Sequence, residues 1–153
     1  MRYELDDELR PVWGAEGTPK DNDILYLVSY YGQLTEERIK EQHAKHPLLI
    51  VDNAQAFYDA PLKEQGIHTI YTPRKYFGVS DGGYVASDIL AGYDSLPEDR
   101  SGGRMKHLTG RLEEDARSHY SEMLEVSDTF ADEIPRKMSK LTENILRATD
   151  YDF

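Results

Sequence analysis

Two polar side chains stand where a parallel sheet would deliver chemistry. Asp52 directly follows the apolar run Leu48–Val51, and Lys75 follows the run His68–Tyr71 after Thr72-Pro73-Arg74. A carboxylate at a strand's carboxyl end holds a cation, orients a histidine, accepts a phosphoryl group or hydrogen-bonds a protonated ring nitrogen. It also serves simply to cap the turn Asn53–Ala56. The lysine is either a solvated surface group or a Schiff-base nucleophile, which burial and a neighbouring cation such as Arg74 favour by stabilising the free amine. Thr72, three residues before the lysine, offers a hydroxyl suited to a phosphate. For these groups to act together, Asp52 and Lys75 must project from adjoining parallel strands into one crevice.

The surrounding pattern predicts the elements that would position them. Ile24–Tyr31 (ILYLVSYY) is rich in leucine, β-branched and aromatic residues and stops at Gly32, the pattern of a buried strand. Thr35 offers a helix cap, a short helix begins at Ile39 and Pro47 ends it. The strand Leu48–Val51 follows at once, so the three elements form a βαβ unit with parallel strands and the helix on one face. His68–Tyr71 and Tyr84–Ala86 predict two more strands, separated by the turn-forming stretch Gly78–Gly83.

Asp94–Gly103, rich in Ser, Pro, Glu, Asp and Gly, reads as a linker between an α/β segment, residues 1–93, and a helical segment, residues 104–153. In the latter, Met105, Leu108, Leu112, Ala116, Tyr120, Met123 and Phe130 step mostly by three or four, which predicts one long amphipathic helix. Pro135 is expected to open a second helix at its first turn, with Met138, Leu141 and Ile145 as its apolar face. The stripe serves either as scaffold or as a surface for self-association.

Composition narrows the classes of function. At 153 residues the chain suffices for one domain with a real core. Eighteen Lys and Arg against 29 Asp and Glu give a formal charge of −11, a field that repels nucleic acid and anionic lipid, so neither is an expected partner. The absence of cysteine excludes disulfides, thiolate metal sites and a thiol nucleophile, and fits a reducing compartment. Apolar runs fall far short of the roughly 20 residues that cross a bilayer. Met1–Arg10 alternates charge and lacks the apolar core of a signal peptide, so a cytoplasmic location is expected. His43 and His46 are spaced to share a metal, but no third ligand accompanies them, and no metal site is expected.

Two longer stretches carry a resemblance. Val28–Phe57, VSYYGQLTEERIKEQHAKHPLLIVDNAQAF, resembles the central part of the DegT/DnrJ/EryC1/StrS family of sugar aminotransferases, where an aromatic-Gly strand end, a short helix, a hydrophobic strand and an Asp-x-Ala-Gln motif occur in this order. Ile70–Ser87, IYTPRKYFGVSDGGYVAS, is similar to the family's lysine segment, and Ser139–Asp152 faintly matches its later helices. The resemblance implies part of a type I pyridoxal-phosphate transferase large domain: a mostly parallel sheet with helices, followed by long C-terminal helices. It implies that Lys75 forms the internal aldimine with pyridoxal phosphate and shuttles the substrate proton. Asp52 would face the pyridinium nitrogen and keep it protonated, and Gln55 would lie near the ring and its hydroxyl. Thr72 would hold the phosphate, because Ile70 occupies the position of the family's usual serine.

The implied reaction moves an amino group from an amino-acid donor to a keto group on a nucleotide-linked sugar, in a homo-oligomer. Residues 1–23 do not resemble the family's opening region, so a fragment or short homologue is expected. The competing expectation is a non-catalytic domain that folds or oligomerises without turning over a cofactor. A phosphoacceptor domain using Asp52 is a third reading, but the first strand lacks the acidic pair that magnesium would need.

Overall fold

Alternating burial along three short strands builds the core of one unit of the chain. In a computed structural model the described residues are 4–7, 11–12, 20, 23–89, 92–129 and 134–149. They form an α/β chain that clusters into two compact units: residues 1–71 with 84–89, and residues 72–83 with 90–153.

The first unit carries both sheets. Glu4–Leu5 (β1) and Pro11–Val12 (β2) make a short antiparallel pair. Leu25–Val28 (β3), Leu49–Asp52 (β4), Ile67–Tyr71 (β5) and Tyr84–Ala86 (β6) form an open sheet in that order, with β3, β4 and β5 parallel and β6 antiparallel to β5. The period of two sends Leu25, Leu27, Leu49, Val51 and Ile67 into the core, where Ile39 of the helix Glu36–His43 (α1) covers them and Leu34 and Leu62 pack at the side. Burying each such side chain contributes about 1.5–3 kcal/mol. Thr35 caps α1 as expected, its Oγ1 accepting from Arg38 N at 3.4 Å.

Thus β3–α1–β4 is the parallel unit foreseen from the pattern, with Val28 opposite Asp52 and Asp52 opposite Ile70. The first strand ends earlier than its composition suggests. Tyr30–Gly32 tightens into a 3₁₀ turn in which Tyr31 takes a left-handed conformation at φ +54°, and Gly32 follows at +70°.

The second unit is helical: Lys106–Glu113 (α2), Tyr120–Asp128 (α3) and Lys140–Ala148 (α4). The long helix expected from the apolar stripe is instead two short ones. Asp115 breaks it, because its Oδ1 accepts from Arg117 N at 2.7 Å and Ser118 N at 2.9 Å while Oδ2 accepts from Ser118 Oγ at 2.6 Å, a local turn that competes with helix hydrogen bonds. Leu112, placed on the stripe, is 88% exposed, and Phe130 lies outside the described residues. A Cβ at Gly110 would stand 2.3 Å from the ring of His119, so only glycine lets that ring lie against α2. His119 then bridges the two helices, Nδ1 to Glu122 at 2.7 Å and Nε2 to Glu114 at 3.1 Å.

The last helix begins five residues later than Pro135 suggested, at Lys140. Ser139 caps it, with Oγ accepting from Thr142 N at 3.2 Å. Its deepest residues are Thr142 and Leu146, while Leu141 turns outward. Ahead of α4, Lys137 pairs with residues 97–99 through Lys137 N to Pro97 O at 2.9 Å and Asp99 N to Lys137 O at 3.1 Å. No described helix is long and apolar enough to cross a membrane.

Candidate functional site

The sheet unit presents Asp52 at the carboxyl end of β4, where parallel sheets place ligand-binding groups. Its Oδ1 accepts from Ala54 N at 2.8 Å, the capping role of a turn residue, and its Oδ2 accepts from Tyr26 Oη at 2.7 Å. A carboxylate offers about four acceptor sites, so this half-buried group keeps capacity for a further donor. Gln55, also half-buried, sits in the turn that follows. Behind it Asn53 is buried, and Phe57 meets Tyr71 and Tyr84 edge-on with ring centroids 6.1 Å apart in each pair. Tyr71 donates to the Asp59 carbonyl at 3.0 Å. Burial pushes the Tyr71 phenol above its ordinary pKa, and the Asp59 charge adds to this against a hydrogen bond with Asn53.

In the helical unit, Thr72 and Lys75 share one cavity of about 240 Å³. Lys75 lies on the 3₁₀ turn Pro73–Lys75 rather than on a strand, because Pro73 removes the ladder donor just after β5. The lysine is exposed, so the burial that a Schiff-base role would favour is not provided here. Arg74 lines the cavity beside it, Ser80 comes from the following loop, and α2 contributes His107 and Arg111. Val79, Leu108, Met123 and Val126 make its apolar wall. Among the described residues the lining thus includes three cations and no carboxylate, in a chain with 29 acidic residues.

Three polar atoms of these lining residues, Thr72 Oγ1, Ser80 Oγ and His107 Nδ1, are buried without a hydrogen-bond partner among the described residues. Such orphans are costly, about 1–3 kcal/mol each, and each is matched when an acceptor arrives. Burial is the main influence lowering the His107 pKa; the charges of Arg111 and Arg74 lower it further, while the Arg104 backbone and Glu122 oppose them.

The loop that carries Ser80 is held by a residue the sequence reading treated only as part of a turn. Asp81, 3% exposed, accepts from Ser139 N at 2.8 Å, from Ser139 Oγ at 2.9 Å and from Thr142 Oγ1, so it fastens the loop to the start of α4. Ser101 Oγ and Ser139 Oγ, 2.6 Å apart, extend the network. Burial alone would raise the Asp81 pKa, but the donors from Thr142 and Ser139 outweigh it and hold the carboxyl below its ordinary value. Gly82 follows at φ +103°, and a Cβ there would press within 3.0 Å of Met138. The signal that identifies Asp81 is Ser139-x-x-Thr142, a helix start whose hydroxyls need an acceptor from elsewhere.

The four residues singled out in the sequence therefore fall two and two. Asp52 and Gln55 belong to one turn of the sheet unit, and Thr72 and Lys75 to one cavity of the helical unit. Ser80, His107 and Arg111 are the additions that sequence reading missed, since nothing in their local spacing links α2 to the lysine. Among the described residues, no group of three or more His, Asp and Glu gathers as metal ligands. No family model matches the sequence, and neither a curated protein nor a solved structure matches it.

Proposed function

We propose that this chain is a fragment or short homologue of the pyridoxal-phosphate-dependent aminotransferases that act on nucleotide-linked keto sugars, with Lys75 as the cofactor lysine and an amino acid as donor. What supports this function most is the cavity around Lys75: hydroxyl and imidazole groups awaiting an acceptor, a cationic lining and an apolar wall. That donor set suits a flat, weakly polar ring bearing a phosphate. Pyridoxal phosphate, when bound, supplies an electron-withdrawing ring that stabilises negative charge on the donor's α-carbon.

The chain's own residues supply the rest. Lys75 offers the amine that tethers the cofactor and then takes and returns the substrate proton. Thr72 offers its unpartnered hydroxyl to the phosphate. Resemblance assigns Asp52 to the ring nitrogen and Gln55 to the ring hydroxyl; the bonds from Tyr26 and Ala54 keep the Asp52 carboxylate in one orientation, which such a role requires. The protein is read as a cytoplasmic homo-oligomer. One observation favours the second reading, a domain that folds without cofactor turnover, and that is the exposure of Lys75.

Mixing the protein with pyridoxal phosphate separates the two. The expected result is a visible imine absorption band that borohydride fixes on Lys75, located by peptide mass. No band, or an unchanged band in Lys75→Ala, overturns the catalytic role and leaves the non-catalytic domain.

A further inference from the structure

We propose that α2 completes a phosphomonoester-binding site, in which Arg111 and His107 act with Ser80 and Arg74 to hold the phosphate group. The proposal extends the aminotransferase reading, sharing its cavity, but it stands on α2 and does not require Lys75 to react.

Three observations carry it. Ser80 and His107 are 2% and 5% exposed, and the buried polar atom on each lacks a partner. Groups so placed lose their bonds to water without replacement, a cost that a bound acceptor removes. Secondly, Arg111 is exposed at the cavity, and among the described residues it has no ion-pair partner. A guanidinium left available beside hydroxyl donors matches the fork geometry of phosphate oxygens. Thirdly, the molecule's charge of −11 disfavours anions in general, so a lining that among the described residues has cations and no carboxylate marks a place where an anion is admitted.

Donor number selects phosphate over carboxylate. Thr72, Ser80 and His107 offer three neutral donors besides the cations, and a phosphomonoester presents three terminal oxygens with about −1.5 to −2 charges where a carboxylate presents two oxygens and one charge. The size agrees as well. A space of about 240 Å³ is far more than one water needs.

The test titrates the intact chain with inorganic phosphate, following heat and the His107 ring signals by NMR. His107 is faced by Arg74 from the turn, Arg111 on its own helix and Glu122 from α3. A bound dianion favours the imidazolium, so the expected result is saturable binding with the His107 titration moved upward. Arg111→Gln, an exposed position, should weaken phosphate roughly tenfold with an unchanged thermal melt, and Ser80→Ala should weaken it in the same direction. Competition between phosphate and pyridoxal phosphate, but not pyridoxal, identifies the ester as the cofactor's own; saturation without competition identifies a separate phosphorylated ligand, and both outcomes support the site. Absence of saturable binding, or affinity untouched by both substitutions, overturns it. Phosphate binding without an imine band counts only against the aminotransferase reading. Where phosphate and pyridoxal phosphate do compete, an imine band whose pyridoxal phosphate dependence is the same in Arg111→Gln counts only against the α2 site.

Discussion

Asp52 and Asp81 are both carboxylates, yet their surroundings assign them opposite work. Asp52 ends a strand, is half-buried, and has one backbone and one phenolic donor, which leaves acceptor capacity unused. Asp81 is buried and is engaged by Ser139 N, Ser139 Oγ and Thr142 Oγ1 at the start of α4. There the positive end of the helix adds to the hydrogen bonds. A carboxylate with spare lone pairs is available to a ligand, whereas one consumed by a helix start is a fastening. Position in the sequence separates the two poorly; the count of donors separates them well.

The largest expected effect tests the fastening. Asp81→Ala should lower the unfolding free energy by about 3 kcal/mol, because buried donors lose a charged acceptor, while Asp52→Ala should cost less than about 1.5 kcal/mol. Urea unfolding of the two variants side by side decides this, and equal losses would erase the contrast.

Acid should sharpen it. The folded carboxyl of Asp81 lies below its ordinary value of 3.8. Its stabilisation is therefore complete above that ordinary value and is lost as pH falls through the lower folded one. The stability gap between wild type and Asp81→Ala should stay constant from neutrality down to about pH 5 and shrink as pH falls below the ordinary value of 3.8. A gap independent of pH in urea melts would show that the folded carboxyl is not held low.

The smallest effect concerns Tyr26→Phe, which removes the phenolic donor from Asp52 while Ala54 N keeps the other oxygen in place. A loss of about 1 kcal/mol or less is expected, and a loss as large as that of Asp81→Ala would make Asp52 a fastening too.

How much of this was legible in the residues depends on how local the cause is. The apolar run before Gly32, the Thr35 cap and the run Leu48–Val51 act within a few residues of themselves, and β3, α1 and β4 appear almost where the pattern places them. The stripe from Met105 to Phe130 failed because α2 and α3 are each amphipathic, so the periodicity continues in register across a break made by one aspartate side chain. Thr72 and Lys75 line one cavity and stand only three residues apart. Ser80, His107 and Arg111 were illegible because their association is tertiary, and the Asp81 network links residues 58 and 61 positions apart.

The route of the chain has a practical consequence for dissection. The backbone leaves the sheet unit after Tyr71 and re-enters it at Tyr84 to add its last strand. Neither unit is an uninterrupted stretch of polypeptide, so no single cut liberates either intact. A piece ending at residue 89 would keep every described strand while stripping the lysine turn of α2 and α3, which line its cavity; a piece beginning at residue 90 would keep those helices and α4 but lose Asp81, the acceptor at the start of α4.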